Sequence, residues 1–150
     1  MANFSIKKTP TIISASAGWL NPARVKVKNG QFARNTNGNI IVVTGFGYTV
    51  PDGALITGIK IETTRKGSVL GMQDSVGLVI PGLTTTGVTA NIPLRNKTRI
   101  NGKIDRIPGV TDIVMPAQVN SSDFGVIYSK AFTGTVFLDS IEVTVFYTTA

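Results

Sequence analysis

Chemistry in a protein begins with side chains that move protons, hold metals or attack bonds, and this chain is poor in them. Of its 150 residues none is His and none is Cys. That removes thiol nucleophiles, disulfides, thiolate metal sites and imidazole acid–base catalysis. The acids number eight: Asp52, Glu62, Asp74, Asp105, Asp112, Asp123, Asp139 and Glu142. Glycoside hydrolysis needs two convergent carboxylates. Most of these eight fall at turn signals and read as turn and surface residues. Asp139 is the odd one. It shares the parity of Ile141 and Val143, so either its carboxylate turns inward and is hydrogen-bonded, or Asp139-Ser140 forms a bulge. Asn35, Asn37 and Asn39 have the alternate spacing of a calcium loop, but they carry no charge and no Glu closes the pattern, so they read as a turn. Gly45-Phe46-Gly47 lacks the third Gly and the following helix of a dinucleotide fingerprint. A Ser or Thr nucleophile would have only a Lys for its base. The expectation is a protein with no enzyme activity, no catalytic residue, no metal site and no cofactor.

The basic residues are more informative. Fifteen Lys and Arg against eight acids give a formal charge of +7, which favours an acidic partner. Yet charged residues are only 15% of the chain, below the roughly 25% of ordinary domains. A basic but charge-poor chain suits an assembly component. Arg24, Lys26 and Lys28 share one parity of a strand-like stretch, and Arg95, Lys97 and Arg99 share one parity of another, with Lys103 and Arg106 just beyond. Alternation would put each triplet on one face, giving two positive stripes. They are either a solvated outer face or an anion-complementary docking surface, which Lys7 and Lys8 near the start of the chain would extend. Aromatics do not interleave with them, so nucleic acid is not the expected partner. Trp19, the only Trp, is either core packing between sheets or an exposed platform for stacking a sugar.

The elements that must position these groups are strands. No window carries a 3.6-residue apolar period, while 16 Gly and 7 Pro punctuate the chain. Strands are expected at residues 9–16, 39–46, 75–80, 83–92, 123–131 and 135–148, with 111–119 weakly extended. Asn29-Gly30 and Asn101-Gly102 each signal a two-residue hairpin, the first joining 23–28 to 31–34 and the second joining 95–100 to 103–107. Residues 45–66 organise the rest. Val50-Pro51-Asp52-Gly53 is a turn, and Ile59, Ile61 and Thr63 then alternate with Lys60, Glu62 and Thr64 as a half-buried strand. This strand and the closing one are expected to be antiparallel neighbours, with Lys60 opposite Glu142, Ile59 beside Val143 and Ile61 beside Ile141. Many short strands at regular spacing make an all-β protein, an antiparallel β-sandwich of two sheets over residues 9–150, preceded by an N-terminal arm at 1–8. The apolar run Ile40-Ile41-Val42-Val43 is too short to span a bilayer, and Lys7 and Lys8 are followed by no apolar signal region. A soluble protein made in the cytosol is expected, with no membrane partner.

Four stretches in order carry a resemblance. They are Gly18-Trp19-Leu20-Asn21-Pro22 with Asn29-Gly30-Gln31-Phe32-Ala33, then residues 45–61, then Asp123-Phe124-Gly125-Val126, then residues 139–147, DSIEVTVFY. In these the chain resembles the jelly-roll β-sandwich module of tailed-bacteriophage capsid decoration (cement) proteins and related virion proteins. Residues 83–115 match no pattern of that module. The resemblance implies a jelly roll, and a structural role in a virion, binding and stabilising the assembled capsid exterior. Its implied partners are the major capsid protein and further copies of the chain in a homotrimer. Such modules also serve as tail appendages or as host-adsorption, carbohydrate-binding units. On that second role Trp19, Tyr48 and Tyr128 are the candidate stacking aromatics.

Overall fold

β-Branched and aromatic residues at period 2 build the two longest strands, and everything else is laid around them. The computed structural model describes residues 2–16, 18–35, 40–83, 87–101, 113–131 and 134–149. In chain order the strands are β1 (Ala2–Lys8), β2 (Ile12–Ala15), β3 (Ala33–Asn35), β4 (Ile40–Thr44), β5 (Leu55–Gly67), β6 (Gln73–Val79), β7 (Val88–Asn91), β8 (Lys97–Asn101), β9 (Gly125–Ala131) and β10 (Val136–Thr149). One five-stranded sheet runs β1-β10-β5-β8, with β3 also paired to β10. The other runs β2-β4-β9-β6-β7. Every described pairing is antiparallel, and the two sheets form a jelly-roll β-sandwich.

The core lies between them. Ile59, Ile61, Ile141, Val143 and Val145 from the first sheet meet Ile41, Val43, Val76, Leu78, Val126 and Tyr128 from the second, all buried. Trp19 belongs to this core. It is 8% exposed and meets Tyr128 edge-on at 6.3 Å, so its burial contributes about 4–6 kcal/mol as an upper estimate. One end is closed by Phe46, Tyr48 and Phe124, whose centroids lie 5.9–6.2 Å apart. The Tyr48 hydroxyl donates to the Val143 carbonyl. The turn before β5 forms as its residues dictate: the Ala54 N–H donates to the Pro51 carbonyl at 3.2 Å and Gly53 has φ +80°. Asn120 clamps its start, accepting from the Val50 N–H at 2.8 Å and donating to the Val50 carbonyl at 2.9 Å.

Four expectations are corrected. The expected arm, residues 1–8, is a sheet strand from Ala2 to Lys8, paired to β10 throughout. Its Phe4 stacks on Tyr147 at 5.1 Å and Ile6 packs on the core, so alternate apolar residues tie it down. β5 and β10 are neighbours, but two residues off the expected register: Ile61 faces Val143, Ile59 faces Val145, Lys60 faces Thr144 and Glu62 faces Glu142. An even slip keeps every side chain on its face, so the alternating pattern cannot detect it. The stretch containing Arg24, Lys26 and Lys28 is not a hairpin strand. Pro22–Lys26 is a 3-10 helix entered through Asn21 at φ 52°. Pro22 presets the helical φ, and Val25 is buried while Val27 is 57% exposed, which an alternating strand would not do. Within 111–119, Pro116–Asn120 is a single helical turn. Pro at its first position and the Gln118 side chain, accepting from the Met115 N–H at 2.7 Å, hold it. β8 ends at Asn101, and the rest of the expected hairpin there, Gly102 with Lys103, Asp105 and Arg106, lies outside the described residues, as do Asp112, Asn37 and Asn39.

Candidate ligand-binding face

The face is created by a bulge. Leu138 pairs with Arg65 and Ser140 with Thr64, leaving Asp139 as the extra residue. Both readings of Asp139 hold together, since it is bulged and only 1% exposed. Its carboxylate accepts the Asn29 N–H and the Gly30 N–H at 3.1 Å and the Asn96 amide at 3.1 Å. That fixes the loop at residues 29–31, where Asn29 also accepts from the Gln31 N–H at 3.0 Å. The bulge changes parity along β10. Phe137 before it and Ser140, Glu142, Thr144 and Phe146 after it therefore share the outer face, beside Lys66, Thr64, Glu62, Lys60 and Gly58 of β5.

At one end of this face is a depression of about 440 Å³. Its apolar part is Phe32 and Phe137, edge to face at 6.0 Å. Lys66 lies over both rings, 4.6 and 5.3 Å from their centroids. Its rim carries Asn21, Arg24, Gln31 and Arg34. Further along, Lys28 donates to the Thr98 hydroxyl at 2.9 Å, and Thr98 shares a 2.7 Å hydrogen bond with Thr64. Beyond that, Glu62 and Glu142 stand side by side. Lys7 reaches them at 3.3 and 3.8 Å and Lys60 reaches Glu62 at 3.5 Å. The two lysines offset the repulsion of like charges in register.

The sequence-selected residues are distributed rather than gathered. Arg24 and Lys26 lie on the 3-10 helix, Lys28 crosses to Thr98, and Lys7 sits between two carboxylates. Lys8 lines a separate depression with Thr9, Phe46 and Glu142. Arg95 is exposed ahead of β8. Lys97 stands opposite Arg65, and Arg99 turns inward, 3.4 Å from Asp74. The two expected stripes are therefore absent as stripes. Trp19, Tyr48 and Tyr128 are all buried, so none is a stacking platform.

The residue that sequence reasoning missed is Asp74, read as a turn or surface acid. It is fully buried and accepts from Arg65 Nε at 2.7 Å, the Tyr128 hydroxyl at 2.8 Å and Arg99 at 3.4 Å. Its parity with Val76 and Leu78 was the available signal. Burial, and then the Asp74 charge, push the Tyr128 phenol well above its ordinary range. Among the described residues no three His, Cys, Asp or Glu side chains converge as a metal site. No helix among them is long and apolar enough to cross a membrane.

No protein-family model matches the chain, and no curated protein matches it. Among solved structures it is similar to the module BiXyn10A CBM1 (11% identity over 98% of this chain and 97% of that one, TM-score 0.49). It is also similar to the carbohydrate-binding module CBM6cm-2 of Cellvibrio mixtus lichenase 5A, in complex with cellotriose (10% identity, 97% and 98% covered, TM-score 0.46). A third is a family 29 carbohydrate-binding module from Piromyces equi (9% identity, 96% and 91% covered, TM-score 0.43). At these values the similarities say nothing of ligand or role. What the strands themselves establish is an all-β jelly-roll sandwich with one polar, aromatic-ended outer sheet face.

Proposed function

We propose that this protein is a non-catalytic jelly-roll binding module of a virion, a tail appendage or host-adsorption unit, and that the outer face of β10 and β5 takes a carbohydrate. The observation that carries the reading is the depression at Phe32 and Phe137. A sugar presents an apolar C–H face and a rim of hydroxyls. The two phenyl rings supply the apolar contact, and the planar side chains of Asn21, Arg24, Gln31 and Arg34 around them supply paired donors and acceptors. From there the face continues through hydroxyls and the Lys7–Glu62–Glu142 group, whose ion pairs hold their side chains in place before any ligand arrives.

The test is an array of microbial oligosaccharides and polysaccharides followed by titration calorimetry on any glycan retained. Gln31→Ala with Arg34→Ala should weaken binding at least about tenfold, the loss of one or two hydrogen bonds to charged or planar groups. Trp19 fluorescence should stay unchanged, since the ring is in the core. A protein that retains no glycan, or a double variant that binds like the parent, overturns the reading.

Capsid decoration, with the major capsid protein and a homotrimer as partners, is the second reading. It is favoured by Arg24, Arg34, Arg95 and Lys97, which are exposed and which no described carboxylate pairs. Copy number in purified virions separates the two: hundreds of copies fit a shell protein and a handful fit a tail part. Capsids lacking the protein would then also resist heat less well.

A further inference from the structure

Strand register sets three cations around the Phe32–Phe137 depression. Phe137 of β10 has Arg34 of β3 as its cross-strand partner on one side and Lys66 of β5 on the other. Residues directly opposite on one face stand about 4.5–5.5 Å apart at Cβ. Arg34 is exposed between buried Ala33 and Asn35, and Lys66 is half-buried between buried Arg65 and Gly67. Both cations therefore project on the outer face, with the Phe137 ring between them. The Arg34 backbone is held from its other side by Leu20, through hydrogen bonds of 2.9 and 3.1 Å. Arg24 comes from the 3-10 helix. Its N–H donates to the Asn21 carbonyl at 3.1 Å, and its guanidinium lies 3.5 Å from the Phe32 carbonyl, on the rim of the same depression. The Asp139 carboxylate nearby is 1% exposed and engaged by Asn29, Gly30 and Asn96.

We propose, resting on the reading that this face takes a carbohydrate, that the ligand is an acidic saccharide whose carboxylate is received by Arg34, Arg24 and Lys66. Guanidinium and ammonium groups only donate hydrogen bonds, a hydroxyl both donates and accepts, and a carboxylate only accepts. Against these three side chains a neutral sugar would leave hydroxyl protons facing donors. A carboxylate meets each donor with an acceptor, and the planar fork of an Arg matches its two oxygens. The amides of Asn21 and Gln31 on the same rim both donate and accept, and they serve the sugar's hydroxyls. The Lys66 ammonium rests over the two rings, 4.6 and 5.3 Å from their centroids. An exposed cation–π contact is weaker than a hydrogen bond to a charged acceptor. The carboxylate therefore draws the ammonium off the rings and opens their faces to the C–H groups of the sugar.

The experiment presents the whole protein with matched oligosaccharides, each carrying glucuronate, galacturonate or a nonulosonate, beside its carboxyl-reduced neutral counterpart and a sulfated form of that counterpart. Titration calorimetry at low and high salt reads the preference for the acid over the reduced form. At least one acidic member should bind about tenfold or more tightly than its reduced form, and the preference should shrink as salt rises. Arg34→Gln, a change at an exposed position, should cut that preference about tenfold, and Arg24→Gln should act in the same direction. Lys97→Gln removes the same charge at a different depression and should leave the preference as it is. Reduced forms that bind as tightly as the acids overturn the proposal while the carbohydrate reading stands. Sulfated forms that match the acids overturn the assignment to a carboxylate. A preference that Lys97→Gln lowers as much as Arg34→Gln overturns it in favour of net charge. A protein that retains no saccharide of any kind overturns both.

Discussion

Asp139→Ala is the sharpest test of how the outer face is built. The carboxylate serves three donors, the Asn29 N–H, the Gly30 N–H and the Asn96 amide, each at 3.1 Å. Hydrogen bonds to a charged acceptor contribute about 1.5–3 kcal/mol each when fully buried and about 1 kcal/mol when water can replace the acceptor. Residues 29, 30 and 96 are exposed although Asp139 is not, so the lower figure applies to each. The expected loss is about 3 kcal/mol, within a range of about 2–5. For a chain of this size that lowers the melting temperature by about 6–12 °C. Asp139→Asn keeps the volume but leaves one oxygen where two served, and turns an amide N–H₂ toward the Asn29 and Gly30 N–H groups, which only donate, so it should lose at least half as much. Asp123→Ala, in an exposed turn, is the control and should stay within about 0.5 kcal/mol. Urea unfolding followed by circular dichroism measures all three. Because Gly30 and Gln31 line the Phe32–Phe137 depression, a folded Asp139→Ala protein should also bind glycan more weakly. A loss below about 1 kcal/mol with an unchanged denaturant slope would refute the claim that this carboxylate holds the bulge and loop together.

Three further outcomes are expected. Gly125→Ala should cost more than about 3 kcal/mol or leave the protein insoluble, because a Cβ there would overlap the Val43 carbonyl oxygen in the β4–β9 ladder; a normally folded variant would show that the two strands can part. Lys7→Gln should cost about 0.5–1 kcal/mol, since its partners Glu62 and Glu142 would face each other with only Lys60 nearby, and the cost should shrink in 1 M salt. Burial raises the Tyr48 and Tyr128 phenols above their ordinary value. A raised folded-state pKa gives stability that is complete below the unfolded value near 10 and falls as pH rises beyond it, by roughly 2.7 kcal/mol per pH unit for two groups. In an absorbance titration these two tyrosines should therefore ionise together with unfolding; ionisation of either near pH 10 in the folded protein would contradict their burial.

The amino-acid sequence determined the parts of this protein that depend on neighbouring residues. Alternating Ile and Val placed β5 and β10, Pro51-Asp52-Gly53 placed the turn before β5, and the lack of His and Cys removed whole classes of chemistry. It also showed Asp139 to be anomalous, because one polar residue in an apolar parity is visible locally. Local signals went wrong where two patterns compete: ARVKVK alternates like a strand, yet Pro22 and the buried Val25 make it helical. The rest needed the tertiary structure. The register of β5 against β10 depended on the pairing of two distant strands, because an even slip leaves every side chain on its face and a period of two cannot encode it. The burial of Trp19, Tyr48 and Tyr128 depended on which sheet covers them. The Asp74 cluster joins residues 9, 25 and 54 positions away. Charges that distant along the chain meet only when β5, β6, β8 and β9 are stacked, so only the packing of one sheet on the other could reveal them.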